Sequence, residues 1–265
     1  MYSLWLECGT EGRDELVAEL FELGTLGITE HPAALQAFFE ERFDVTGLAA
    51  WKPRWEEEAA QDWVAVSRKG WEPAAVGERL FLVPDWRDDA APAGRVRLTV
   101  HAGMASGSGY SDPTQLALEA LEKHLRGGET VLDVGTGSGI LTAAAALLGA
   151  GKLLACEIEA EAAGQAARNF LAAGVSVQLF VGSPRSLAGG VADLVAANLN
   201  AMSILGSAGE LRRVLAPGGR LILSGFRERR MEEVRKAFPD CEVVRETGRL
   251  YWRCLVLGLI SGSRK

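Results

Sequence analysis

The 265-residue sequence predicts an α/β protein in which an open, mainly parallel sheet is wound with helices and a small α+β domain precedes it. Three observations carry the prediction. Val131-Leu132-Asp133-Val134 is an apolar run ending beside an acid, followed by Gly135, Gly137 and Gly139 and then by an alanine-rich segment. Further short apolar runs follow, each closing on a polar residue and each separated from the next by a helix-forming stretch. Leu215-Ala216-Pro217-Gly218-Gly219 then returns a helix to another apolar run. Strands alternating with helices in this way build parallel sheets.

At the N-terminus, residues 1–7 alternate as an edge strand, 14–23 have helical pattern, and 36–40 return as a strand. That order gives a small α+β, ferredoxin-like sandwich over residues 1–50, a unit so short that it is marginal alone. Trp51, Trp55, Trp63, Trp71 and Trp86 crowd the region that follows. Residues 51–70 are expected to be a linker helix on which Trp55 and Trp63 share a face, for packing between domains or for gripping a peptide. Residues 71–265 then form the larger domain.

The glycine-rich segment 101–114 leads into a helix over 114–124, with Asp112 as N-cap, Pro113 at the first helical position and Gln115 three residues after the cap. Residues 130–134 read as a short buried parallel strand and 140–148 as the helix after it. The glycines therefore occupy a tight strand-to-helix turn, which needs positions without Cβ and allows a ligand close to the backbone. The helix N-terminus beyond offers free N–H groups to a carboxylate or a phosphate. A dinucleotide fingerprint would place its third glycine at position 140, where this chain has Ile140. Asp133, two residues before the first glycine, would disfavour a pyrophosphate and favour a cationic ammonium and sulfonium. A dinucleotide, or a turn merely shaped by Asp133 and the glycines, are the alternatives.

The second strand, 152–157, ends at Glu157, eighteen positions after Gly139 and near the interval expected of a ribose ligand. Glu157 can accept from both ribose hydroxyls, or stand as an exposed strand-end charge. Glu159 and Glu161 are weaker candidates, because acids suit any first helical turn. The third strand, 178–181, closes with Gly182-Ser183, and the fourth, 193–197, with Asn198-Leu199. Ligands of open α/β sheets bind along the carboxyl edge where the strand order reverses. Ser183 is accordingly an adenine contact or a turn residue before Pro184, and Asn198 meets the reacting end or serves a bend. A helix over 203–215 then reaches Pro217-Gly218, which fits the centre of a type II turn before a fifth strand.

Taken together, these elements resemble the seven-stranded S-adenosylmethionine-dependent methyltransferases over about residues 114–259. The resemblance implies S-adenosylmethionine as cofactor and an antiparallel hairpin, near 241–245 and 249–258, at the sheet edge. Segment 101–114 and Ala197-Asn198-Leu199 are similar to those of a narrower family, the methyltransferases of ribosomal protein L11 (PrmA-like enzymes). These carry Pro-Gly-x-Ala-Phe-Gly-Thr-Gly-x-His-x-Thr-Thr and Ala-Asn-Ile/Leu there, together with a small N-terminal domain and an Asp-Trp linker helix, matched here by Asp62-Trp63. Gly103, Ala105, Gly107, Gly109 and Thr114 keep their places. Ala102, Ser106, Ser108, Ser111 and Pro113 replace the Pro, the Phe, the first Thr, the His and the next Thr. The resemblance implies cofactor binding by Gly107, Thr114, Asp133, Gly135, Gly137, Gly139, Glu157, Ser183 and Asn198, with Asn198 also acting on the acceptor. It implies methylation of lysine or N-terminal amines of a ribosomal protein. Another protein or small-molecule acceptor, or cofactor binding without catalysis, are the alternatives.

The net charge of −7 argues against a polyanionic partner and suits a basic protein substrate. The cluster Arg227, Arg229, Arg230 alternates with Glu228 and reads as a solvated face. The apolar stretch 140–150 is too short to span a bilayer, and no leader pattern is seen. Cys8, Cys156, Cys241 and Cys254 lack metal or disulfide-scaffold spacing, so a reduced cytoplasmic protein is expected. His31, His101 and His124 are too scattered for a metal site or triad. Oligomeric state is not legible.

Overall fold

A computed structural model of the chain describes residues 1–9, 12–25, 27–57, 71–101 and 109–260. They belong to two compact units, Met1–Lys69 and Gly70–Lys265.

The first unit contains β1 (Tyr2–Glu7), α1 (Arg13–Glu22), β2 (Gly27–His31), β3 (Ala34–Phe39) and β4 (Arg54–Glu57). The strands form one antiparallel sheet in the order β2-β3-β1-β4. β1 is thus an inner strand, not the edge strand that its alternation suggested; alternation reports which face is buried and is silent about neighbours. Leu4 and Leu6 of β1 meet Leu16 and Leu20 of α1, one helical turn apart, and Leu35, Ala37 and Phe39 of β3 complete the core. The expected helix from residue 51 is also corrected where it is described, because Arg54–Glu57 is β4, with Trp55 opposite Leu4. Trp55 packs edge-on to Tyr2, Phe39 and Phe43. A ready-made apolar surface outweighs local helix propensity there. Asp62-Trp63 and the rest of the expected linker helix lie outside the described residues.

In the second unit β5 (Ala74–Val76), β6 (Leu80–Pro84) and β7 (Val96–Val100) form a small sheet. After it come α2 (Asp112–His124), β8 (Thr130–Val134), α3 (Ile140–Leu147), β9 (Lys152–Glu157), α4 (Ala160–Ala172) and β10 (Gln178–Val181). Then follow β11 (Ala192–Asn198), α5 (Ala201–Val214), β12 (Leu215–Arg227), α6 (Met231–Lys236), β13 (Cys241–Arg249) and β14 (Trp252–Leu259). The seven-stranded sheet has the order β10-β9-β8-β11-β12-β14-β13. β10 through β12 run parallel, and β14 is antiparallel to both β12 and β13, so the expected edge hairpin is present. The order reverses between β8 and β11, which puts a crevice at their carboxyl ends.

The two faces of the sheet are read directly from β8. Val131 joins α2 and α3 in one core, and Leu132 and Val134 join α5 in the other. The Pro217-Gly218 turn lies within the β12 span. Leu215 pairs with Ala192, and the ladder resumes at Arg220 opposite Leu194. Gly218 has φ of 73°, as the second central position of a type II turn requires. α2 starts one residue earlier than expected: Ser111 is the N-cap, and Asp112 and Pro113 take the first helical positions, where an acid and a ring without N–H are both accommodated.

Candidate active site

The loop from β8 to α3 holds Gly135, Gly137 and Gly139 at φ of 67°, 51° and 85°. These are left-handed conformations that favour glycine. A Cβ on Gly135 would fall inside van der Waals contact with Leu199 Cδ2, and one on Gly139 would collide with the Phe170 ring. The loop is tied to β9 by Gly135 N and Thr136 N, both donating to the Cys156 carbonyl at 2.9 and 3.1 Å. From the other side, buried Asn169 donates through Nδ2 to the Ser138 carbonyl at 2.7 Å, and Gln165 Nε2 donates to Asn169 Oδ1 at 2.9 Å. Sequence reasoning missed Asn169. Its one signal was a polar residue of modest helix propensity one turn from Ala166 and Ala172, on the alanine-bearing face of the helix.

Asp133 ends inside the protein, 1% exposed. Its Oδ2 accepts from the Thr136 and Thr142 hydroxyls at 2.7 and 2.8 Å. Burial pushes the Asp133 carboxyl above the usual aspartate range, against the pull of those hydroxyls, and the nearby Glu157 charge adds to the rise. The carboxylate expected to face a ligand's amino end is therefore engaged first with the loop and the first turn of α3.

Glu157 is buried at the end of β9, and so is not an exposed strand-end charge. Its Oε2 accepts from Gly137 N at 3.0 Å, and its Oε1 from Ile158 N and Glu159 N at 2.8 and 3.3 Å. The carboxylate spans the glycine loop and its own strand end. Gly182 N donates to the Glu157 carbonyl at 2.7 Å, which draws the end of β10 alongside. Ser183 there is the N-cap of the short turn Pro184–Ser186.

Asn198 terminates β11, half-buried, and its Nδ2 donates to Thr114 Oγ1 at 3.0 Å. Thr114, in the first turn of α2, is fully buried, and its hydroxyl lies 2.9 Å from Ser111 Oγ. Ser224, paired in register with Asn198, donates through Oγ to the Pro113 carbonyl at 2.8 Å. Asp133, the three glycines, Glu157, Asn198 and Thr114 thus lie along the carboxyl edge of the sheet beside the strand-order reversal, with Ser183 farther out on the same edge, after β10. Gly107 lies outside the described residues.

A cleft of about 110 Å³ opens elsewhere, between β7 and the α3–α4 side of the loop, lined by Thr99, His101, Ser138, Ile140 and Phe170 among others. Ser138 and Gly139 of the loop and Asn169 line it, whereas Asp133, Glu157, Ser183, Asn198 and Thr114 do not. The carboxyl edge, with its two buried acids and the loop, has the donors and acceptors of a ligand site, and the cleft is walled mainly by aliphatic side chains. His31 stacks on Trp5 at 4.8 Å, His101 pairs with Asp85 at 3.0 Å, and His124 is buried. Among the described residues no group of side chains is arranged to hold a metal ion, and no helix is long and apolar enough to cross a membrane.

Comparison with known proteins gives the arrangement its family. The family model described as Ribosomal protein L11 methyltransferase (PrmA) matches residues 21–258. The chain belongs to that family. The L11 methyltransferase of Thermus thermophilus is 36% identical over 230 residues, covering 86% of this chain and 87% of that protein. Its counterpart in Deinococcus radiodurans is 36% identical over 236 residues, covering 84% and 86%. That of Pelotomaculum thermopropionicum is 44% identical over 172 residues, an alignment spanning 63% of this chain and about half, 55%, of the relative. The crystal structure of the ribosomal protein L11 methylase from Lactobacillus delbrueckii subsp. bulgaricus superposes with a TM-score of 0.66 at 26% identity, covering 72% of this chain and 98% of that one.

As a member of the L11 methyltransferase family the protein is a methyltransferase, and S-adenosylmethionine is its methyl donor. The residues at the sheet edge fit that donor on chemical grounds. Two buried carboxylates suit a molecule with an ammonium, a sulfonium and a ribose diol. The side-chain-free loop lets its backbone approach, and the α3 N-terminus suits a carboxylate.

Proposed function

We propose that this protein methylates amino groups, on lysine side chains or the N-terminus, of ribosomal protein L11, and that it works in the cytoplasm. The observation that carries the proposal is the convergence of the Gly135–Gly139 loop, Glu157 and Asn198 on the carboxyl ends of β8, β9 and β11, at the reversal of strand order. The names of the relatives support the acceptor, and the −7 charge suits a basic ribosomal protein over a nucleic acid.

In this reading Asp133, Gly135, Gly137, Gly139, Glu157, Ser183 and Asn198 form the cofactor pocket, with Gly107 completing it, and buried Thr114 supports Asn198 from behind. Glu157 Oε2 keeps a lone pair for one ribose hydroxyl beyond the Gly137 N–H it already accepts. Ser183 meets the adenine. Bound S-adenosylmethionine supplies a methyl group on a sulfonium, an already activated leaving group. The protein's task is to bring a neutral nitrogen lone pair in line behind that methyl. A lysine of ordinary pKa is only ~0.1% neutral near pH 7.4. Removing the amine from water raises that fraction. Asn198 Oδ1 and the Ala197 carbonyl then accept the remaining amine hydrogens. Neutral oxygens orient the lone pair without holding the extra proton, which a carboxylate would retain.

The N-terminal unit is read as a recruiting module for the protein acceptor, which explains the presence of a small fold beside a domain that already holds the cofactor. The test is incubation with labelled S-adenosylmethionine and purified ribosomal proteins, followed by mass mapping of the product, for the full chain and for a chain lacking residues 1–69. Label on L11 amines from the full chain, lost on truncation with cofactor binding retained, is the expected result. Label only on other molecules overturns the acceptor. Undiminished L11 methylation by the truncated chain overturns the recruiting role.

A further inference from the structure

We infer that Thr114 is a positioning residue, whose hydroxyl sets which end of the Asn198 amide meets the acceptor amine. The inference rests on the role proposed above for Asn198, and differs from the cofactor contact that the family resemblance implies for Thr114.

A primary amide presents two chemically opposite ends of nearly the same shape. With Oδ1 toward the amine, Asn198 accepts an amine hydrogen and leaves the nitrogen lone pair directed at the methyl. With Nδ2 there instead, the amide would donate to that same lone pair and occupy the electrons the reaction uses. Among the described residues, Thr114 is the one side-chain partner of the Asn198 amide. The choice is made across 84 positions of sequence, by Thr114 Oγ1 accepting from Asn198 Nδ2 at 3.0 Å.

Three features show that Thr114 is itself held for this purpose. Its side chain is fully buried, so water does not compete for the Asn198 N–H. A hydroxyl has one hydrogen and two lone pairs. Ser111 Oγ, 2.9 Å away, is placed to take the Thr114 hydrogen, leaving a lone pair toward Asn198. Ser111 is the N-cap of α2 yet makes no side-chain bond to the helix's free N–H groups, the usual service of a serine in that position. Its hydroxyl is turned to Thr114 instead. Ser224, the strand partner of Asn198, clamps the same turn through the Pro113 carbonyl at 2.8 Å. The donor strand and the turn that carries the acceptor are thus locked to one another.

The test is a set of three variants, with turnover and cofactor affinity measured separately on L11. Thr114→Val keeps the shape and removes the acceptor. It is expected to lower kcat roughly three- to tenfold, the worth of one neutral hydrogen bond, with cofactor Kd within about twofold of wild type. Thr114→Ser restores the hydroxyl and is expected to recover most of the lost kcat. Ser111→Ala, at an exposed position that tolerates the change, is expected to lower kcat in the same sense but less. Unchanged kcat in Thr114→Val, a matching loss of cofactor affinity, or no rescue by serine would each overturn the inference. Asn198→Ala measured alongside separates the two readings. If it lowers kcat while Thr114→Val does not, the positioning role alone falls. If it leaves kcat intact, the role of Asn198 falls, and the inference with it.

Discussion

Replacing Gly139 with alanine tests the physical account of the glycine loop. Two costs add. The backbone at φ of 85° is one that an L-residue adopts at about 1–2 kcal/mol. The new methyl would sit 2.7 Å from Phe170 Cζ and closer still to Cε1, against an ordinary carbon contact of about 3.5–4.0 Å. Phe170 is 4% exposed and packed on Ala155 and Ala166, so moving its ring aside, toward the cleft it lines, gives up those contacts. Overpacking of this kind costs about 1–3 kcal/mol. The sum, about 2–5 kcal/mol, corresponds to a fall in Tm of roughly 4–20 °C for a unit of 150–250 residues. Calorimetric unfolding of the intact chain measures it, and Phe170→Ala alone and with Gly139→Ala completes a double-mutant cycle. The cycle should return about 1–3 kcal/mol of coupling, because the steric part vanishes with the ring and the backbone part does not. A loss below about 1 kcal/mol in the single variant would refute the reasoning, since the backbone conformation alone predicts more.

Glu157→Ala should weaken S-adenosylmethionine at least about tenfold, roughly 1.4 kcal/mol, because it removes a ribose acceptor and frees the Gly137 N–H that the carboxylate orients; unchanged affinity by titration calorimetry would remove Glu157 from the site. Asn198→Ala should lower turnover by more than it lowers cofactor affinity; equal losses in both, by steady-state kinetics and calorimetry, would make it a pocket-shaping residue. Asp133 has its carboxyl pKa raised by burial, so the folded protein binds this proton more tightly than the unfolded chain. Its contribution to stability is therefore largest at low pH and falls as pH rises from the unfolded value, 3.8, through the raised folded one. Asp133→Asn should lose that slope, gaining on the wild type in urea midpoint as pH rises through the window; a difference independent of pH would show that Asp133 titrates normally.

Local chemistry determined much of this protein from sequence alone. The spans of β8, β9 and β10 follow from short apolar runs with defined ends. The loop conformation follows from three glycines at positive φ, two of which, Gly135 and Gly139, sit where Cβ atoms would collide with Leu199 and Phe170. An acid at the end of a parallel strand must come to the carboxyl edge, so Glu157 could be placed before any coordinates, because strand direction is set once helices connect the strands. Tertiary structure decided what local pattern leaves open. β1 is central because β4 pairs on its far side, and Trp55 is in a strand because a distant apolar surface receives it. Asp133 turns to Thr136 and Thr142 because, once buried, a carboxylate takes the nearest donors. Thr114 meets Asn198 across 84 residues. Periodicity and propensity are properties of neighbours along the chain, whereas sheet order, burial and the partner of a buried polar group depend on which surfaces meet when the whole chain is packed.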